Sequence, residues 1–105
     1  MIEEYRTING FDNYEISNTG KVKPKSSPTE GCYYTCINHG YEIVSLYIDG
    51  KRFKKHVHRL LAEAFLEGYE KRFIVKHIDG NKKNNTVSNL QLVNRSGNII
   101  QSIAQ

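Results

Sequence analysis

At 105 residues, with 38% apolar and 10% aromatic side chains, the chain has the length of one small domain, or of two very small modules sharing a core, and too little interior to hide many unpaired polar groups. Fifteen Lys and Arg stand against eleven Asp and Glu, a net charge of +4 that favours a polyanionic partner without specifying one. No run of eighteen apolar residues occurs, which argues against a membrane-spanning helix.

The opening Met1, Ile2, Glu3 and Glu4 has the features of neither a signal nor a transit peptide. Asn13-Tyr-Glu-Ile-Ser17 alternates, meets a turn signal at Asn18-Thr-Gly20, and resumes at Lys21-Val22-Lys23, which predicts a short β-hairpin. Phe11 and Tyr14 in this region read as core residues rather than base-stacking platforms. Pro24 to Gly31, with both prolines, reads as a loop dividing an N-terminal module, residues 1–27, from residues 28–105. Cys32, Cys36 and His39 offer three soft ligands but no fourth at matching spacing, so ordinary reduced cysteines in strands and turns are expected. Tyr41 to Ile48 has strong β propensity, and Asp49-Gly50 suits a tight hairpin whose two turn positions need positive φ. Lys51 to Val57 returns as the partner strand, with Phe53, Lys55 and Val57 on one face. Lys51, Arg52, Lys54, Lys55 and Arg59 therefore crowd a hairpin strand and its exit, joined by His56 and His58.

From His58 the period changes. Leu60, Leu61, Ala64 and Phe65 recur at helical spacing, and Gly68 ends the helix. Arg72 to His77 is a short apolar strand, Ile78 to Ser88 an asparagine-rich ordered loop, and Asn89 to Val93 a second strand. Arg95 onward predicts a helix capped by Asn94. The fold class is α+β: short β-hairpins with a β-loop-β-α unit in the last third.

A lone histidine such as His77 ordinarily reads as a hydrogen-bonded residue of a half-buried strand. Its company changes that reading: Asn89 lies twelve residues on, and Asn98 twenty-one residues on in the predicted helix. A strand end and a helix N-terminal turn, held by a packed hairpin, can converge on one pocket. Phosphodiester hydrolysis needs such groups, because a neutral imidazole must take the proton of the attacking water. A divalent cation neutralises charge on the phosphate and leaving oxygen, and an amide oxygen is a suitable hard ligand for it. The amide of Asn89 suits a different task, bonding backbone groups across the loop beside His77.

Val75-Lys-His-Ile-Asp-Gly-Asn-Lys-Lys-Asn-Asn85, followed by Asn89-Leu90, resembles the HNH motif of phage and intron-encoded homing endonucleases. Val57-His-Arg-Leu-Leu-Ala-Glu-Ala-Phe65 resembles the helix that precedes it in those proteins. Ile8 to Val22 is similar to the NUMOD4 module that commonly lies upstream. Three motifs in family order cover about residues 5–98. The resemblance implies a ββα-metal (His-Me finger) unit that hydrolyses one or both strands of DNA with a single divalent ion, Mg2+ or Mn2+. It implies His77 as general base, Asn89 as the residue that steadies the loop, and Asn98 as the metal ligand.

Two departures accompany the likeness. Where related nickases carry an aspartate immediately before the histidine, as a second metal ligand, this chain has Lys76, whose ammonium only donates and repels a divalent cation. Three readings follow: Asn98, DNA phosphates and water hold the ion; Asp79 substitutes, although Asp-Gly is an ordinary turn pair; or the site has lost its metal. Larger relatives also continue into sequence-reading helices, whereas seven residues follow Asn98 here, so a short or structural target is expected. In this context Lys51, Arg52, Lys54, Lys55 and Arg59 are expected on DNA phosphates, with Lys82 and Lys83 from the loop and Lys76 at the scissile phosphate. His58 faces the same groove or is a packed structural histidine. The leading expectation is a metal-dependent DNA endonuclease or nickase acting in the cytoplasm, that of a bacterial host if the gene is a phage's. The rival is a catalytically degenerate DNA-binding or regulatory protein on the same scaffold, and a third reading gives the basic surface to a protein partner.

Overall fold

The structure is a computed structural model and describes residues 4–25 and 35–102. Among these residues, nine strands form three antiparallel sheets, each of three strands consecutive in the chain. The first holds β1 (Tyr5–Ile8), β2 (Phe11–Ser17) and β3 (Val22–Pro24). The second holds β4 (Thr35–Asn38), β5 (Tyr41–Ile48) and β6 (Lys51–His56). The third holds β7 (Ile74–His77), β8 (Leu90–Val93) and β9 (Ile99–Ser102). A single helix, α1 (Val57–Phe65), follows β6 directly and packs against all three sheets.

Each hairpin follows from local chemistry. In β2, Phe11, Tyr14 and Ile16 are buried while Asp12 and Asn13 are exposed, so one face of the strand meets the core. Ser17 closes the β2–β3 turn: its backbone N–H donates to the Lys21 carbonyl at 2.8 Å, and its hydroxyl accepts from the Lys21 N–H at 3.1 Å. Between β5 and β6, Asp49 and Gly50 take φ of 50° and 80°, the left-handed pair a two-residue hairpin requires. Ile48 consequently pairs with Lys51 and the register runs unbroken to Ile43 and His56.

The side chain of His56 does not cap α1, so the helix rests on tertiary packing, as a nine-residue helix must. Val57, His58, Leu60, Leu61 and Ala62 are its buried face. Leu61 joins Ile8 and Ile16 of the first sheet, Leu46 of the second, and Leu90 and Leu92 of the third in one continuous apolar cluster. Each such side chain withdrawn from water contributes about 2 kcal/mol. Phe11 and Tyr14 are core residues, as expected, and the Tyr14 hydroxyl accepts from the Tyr47 N–H at 3.1 Å, tying the first sheet to the second. Gly68, at φ 77°, lies in the turn beyond the helix, which ends at Phe65.

The C-terminal segment departs from expectation. The helix predicted from Arg95 does not form; Asn94 to Gly97 make a turn, and Ile99–Ser102 pair with β8 as a third strand. Asn94 Oδ1 accepts from the N–H groups of Ser96 and Asn98, both at 2.9 Å; the first is a bond a helix cap makes, whereas the second closes the turn. Gly97 then turns to φ 86°, which reverses the chain, and its N–H donates to the Asn94 carbonyl. The β-branched Ile99 and Ile100 that follow suit a strand better than a helix. Cys36 lies on β4 and His39 in the β4–β5 turn, while Cys32 and most of the predicted 24–31 loop fall outside the described residues. No helix among the described residues is long and apolar enough to cross a membrane.

Candidate active site

His77 ends β7, opposite Leu90, with its side chain 6% exposed. The strand alternates, so Val75 and His77 turn inward while Ile74 and Lys76 turn to solvent. The loop that follows is organised by Asn89, whose Nδ2 donates to Asp79 Oδ1 at 2.9 Å and to the Asn84 carbonyl at 3.0 Å. Asn89 Oδ1 accepts from the Asp79 N–H at 3.2 Å, and the Asn89 carbonyl accepts from the Ile78 N–H at 2.7 Å. One asparagine thus staples both ends of the loop beside His77. Asp79 completes the staple. Bonds from the Asn84 amide, the Asn81 N–H and the Asn89 amide hold its carboxyl down to a pKa of about 2.

Two residues not singled out in the sequence reading contact this site. His77 Nε2 lies 2.8 Å from Asn85 Oδ1, and Asn85 Nδ2 donates to Glu42 Oε1 at 2.8 Å. Asn85 is buried and Glu42, on β5, is half-buried. The only sequence signal for Asn85 is its place in the asparagine-rich loop; for Glu42 there is none, since a glutamate at the start of an exposed-looking strand is unremarkable.

Around His77 the rings form a cluster. His58 lies 5.2 Å from it between ring centroids and stacks on Tyr41 at 4.9 Å. His56 meets His58 edge-on at 5.4 Å, and Lys82 Nζ sits 4.7 Å above the Tyr41 ring. His58 is 8% exposed, so it is packed rather than free to meet a groove. A cleft of about 260 Å³ opens beside it, lined by Tyr41, His56, His58 and Arg59.

The basic residues divide by position. Lys54, Lys55, His56 and Arg59, with Lys71 from the segment before β7, line a cleft of about 590 Å³. Arg59 commits Nη1 to the Phe73 carbonyl at 2.8 Å and the Tyr69 hydroxyl at 3.3 Å, tying α1 to the approach of β7. Lys51 and Arg52 are exposed at the far end of β6, where Arg52 Nε donates to Ser45 Oγ. Lys76, Lys82 and Lys83 are exposed around the His77 strand and loop. Lys71 was missed because only tertiary contact aligns it with β6.

Asn98 is not brought to His77. It follows the end of β8 that pairs with Ile74, whereas His77 pairs with Leu90 at the other end, roughly 10 Å away along the strand. Convergence was expected on a helix running back toward His77, and the turn with β9 replaces that helix. The remaining oxygen donors do not make an ion shell. Lys76 is a cation, both carboxylate oxygens of Asp79 are occupied within its own loop, and no group of three or more His, Cys, Asp or Glu gathers among the described residues. Among the described residues, no protein-built ion shell therefore gathers beside His77.

The arrangement of an anchored histidine, an Asn89-stapled loop and an upstream β-rich segment can be set beside known proteins. A family model described as HNH endonuclease matches residues 55–99, and one for the NUMOD4 motif matches residues 3–59. The chain belongs to the HNH homing endonuclease family. HNH endonucleases are generally dependent on a divalent metal. The DNA endonuclease I-HmuI of Bacillus phage SP01 is 40% identical over 91% of this chain and 55% of its own length. The HNH endonuclease L245 of Acanthamoeba polyphaga mimivirus is 38% identical over 98% of this chain and 31% of its own. The solved structure describing DNA binding and cleavage by I-HmuI superposes with a TM-score of 0.79 at 39% identity, over 89% of this chain and 53% of that one. The HNH chain here thus spans between about a third and about half the length of these relatives.

Proposed function

We propose that this chain binds DNA and hydrolyses a phosphodiester bond in it, with His77 accepting the proton of the attacking water. The water oxygen forms a bond to phosphorus as the bond to the 3′ oxygen breaks; the water's proton passes to the imidazole, and the departing 3′ oxygen takes a proton from solvent water to leave as the hydroxyl. The observation that carries the reading is the anchored, buried His77 at the end of β7, beside a loop stapled by Asn89, in a chain 40% identical to I-HmuI, a DNA endonuclease. Lys54, Lys55 and Lys71 in the larger cleft, with Lys82 and Lys83 near His77, supply the positive surface for the DNA backbone. Its action is read as lying in the cytoplasm of a bacterial host, and the phage origin of the relative I-HmuI supports that reading. The ion would be Mg2+ or Mn2+, held by DNA phosphates and water since no protein-built shell gathers among the described residues, and it would neutralise charge on the phosphate.

A second reading rests on Lys76 and on the distance of Asn98 from His77: the chain binds DNA without cutting it. Incubation of supercoiled plasmid with the purified chain, with Mg2+, Mn2+ or a chelator, separates the two. Nicking that requires the ion and disappears in His77→Ala, with DNA affinity retained, supports hydrolysis. An intact plasmid that is nevertheless retarded on a gel supports the second reading and removes His77 as a base.

A further inference from the structure

We propose that Glu42, acting through Asn85, fixes which ring nitrogen of His77 is basic, so that a residue of the NUMOD4 motif positions the histidine of the HNH motif. The inference rests on the reading of His77 as the proton acceptor.

The argument is one of donors and acceptors. An ionised carboxylate accepts and cannot donate. Glu42 Oε1, 2.8 Å from the Asn85 amide, must therefore face its NH2 group. The reversed amide would set two oxygens against each other at that distance. With Nδ2 committed to Glu42, Asn85 presents Oδ1 to His77 Nε2 at 2.8 Å. An amide oxygen only accepts, so Nε2 carries the ring proton. In the neutral imidazole the lone pair then belongs to Nδ1. Glu42 sets the amide, and the amide sets the tautomer.

Asn85 is held independently from the same side. Gly20, at φ 85°, packs so closely on the Asn85 backbone that a Cβ there would collide with the Asn85 carbonyl oxygen. Two residues on, the Val87 N–H donates to the Asn18 carbonyl at 2.9 Å. The β2–β3 turn and the start of β5, both within the NUMOD4 match, thus grip the segment that orients His77. Glu42 and Asn85 are positioning residues, and a base presented in the wrong tautomer loses its catalytic contribution even where its place is unchanged.

Long-range proton–nitrogen NMR correlation of the nitrogen-15-labelled chain at neutral pH reads the tautomer directly, with His77→Gln identifying the His77 signals. The wild-type ring is expected protonated at Nε2 and bare at Nδ1. Glu42→Ala frees the amide to turn and gives a mixture of tautomers. Glu42→Lys places a donor opposite Asn85, turns the amide over so that Nδ2 faces His77, and moves the ring proton to Nδ1. In plasmid nicking, Glu42→Lys lowers kcat about tenfold or more, with KM nearly unchanged. A wild-type ring protonated at Nδ1, or an Nε2–H that persists in Glu42→Lys, overturns the proposal. If the tautomers shift as expected while no variant and no wild-type chain nicks DNA, the positioning stands and the hydrolytic reading falls.

Discussion

The surroundings of His58 and Asp79 clearly set their protonation, holding His58 neutral and Asp79 ionised. The pKa of His58 is lowered to about 4, first by burial and then by the neighbouring His77, His56 and Arg59, and its Nδ1 is buried without a hydrogen-bond partner among the described residues. The folded chain therefore holds it neutral, whereas the unfolded chain binds a proton below about pH 6.5. Stability is full above 6.5 and falls as pH drops from there toward 4, with no further loss from this group below. The expected loss is roughly 2 kcal/mol once solvent screening is allowed for, or about 10 °C in Tm. Thermal melts of wild type and His58→Phe between pH 7 and 4 check this: carboxylates titrate in both, so the difference isolates His58, and parallel curves would refute it. The pKa of Asp79 is lowered too, but by a different cause: hydrogen bonds from loop amides favour its charged form, and that stabilisation is lost only as pH falls below about 4. That bonding gives the Asp79 carboxylate the loop-shaping role expected of an Asp-Gly turn. The loop-shaping role of Asp79 was legible from the Asp-Gly pair; the packing of His58 was not, because helical spacing alone does not say which side of α1 meets β5.

Gly20 and Gly10 show how elements dock. Both adopt φ near 85°, but a side chain at Gly10 would meet nothing within 4 Å, whereas one at Gly20 would strike the loop that carries Asn85. Gly10→Ala is expected to cost about 1 kcal/mol of left-handed strain and roughly 5 °C in Tm. Gly20→Ala adds a clash and is expected to cost about 2–3 kcal/mol, with faster amide exchange at Val87. Melting curves and hydrogen exchange compare them, and equal losses would mean that the β2–β3 turn does not bear on the HNH loop. The hairpins β2–β3, β5–β6 and β7–β8 were legible, because alternation and turn chemistry are local. β1 and β4 were not anticipated: Tyr5–Ile8 and Thr35–Asn38 lack the apolar runs that marked β7 and β8. At residues 95–102 an asparagine cap signal competed with Gly97 and two isoleucines, and an available edge on β8 resolved the competition in favour of a strand.

At the scale of the molecule, α1 draws three small sheets onto one core and in doing so assembles a basic cleft from β6, α1 and Lys71. DNA affinity is expected to fall steeply with salt, because cations that neutralise phosphates release counterions. Lys54→Ala and Lys71→Ala should each lower the slope of log affinity against log salt by about 1, while Lys51→Ala, exposed at the far tip of β6, changes it less. Fluorescence anisotropy with a short duplex at several salt concentrations measures these slopes. A Lys51 effect equal to that of Lys71 would place the backbone outside the cleft.

Length, charge and periodicity were enough to establish an α+β chain, the order of its main hairpins and helix, and the basic cluster before α1, while the resemblance of short motifs to a known family singled out His77. These are legible because each depends on neighbours within a few positions, where backbone preference and side-chain alternation act directly. Three-dimensional packing alone settled the company His77 keeps. Glu42 and Asn85 are 43 residues apart, and no local rule pairs them; they meet because burying the apolar face of α1 presses β5 and the β2–β3 turn against the HNH loop. The same packing carried residues 99–102 to the edge of β8 and left Asn98 at the opposite end of the hairpin from His77. Spacing along a chain reports distance in space only where the element between is rigid and its type is known.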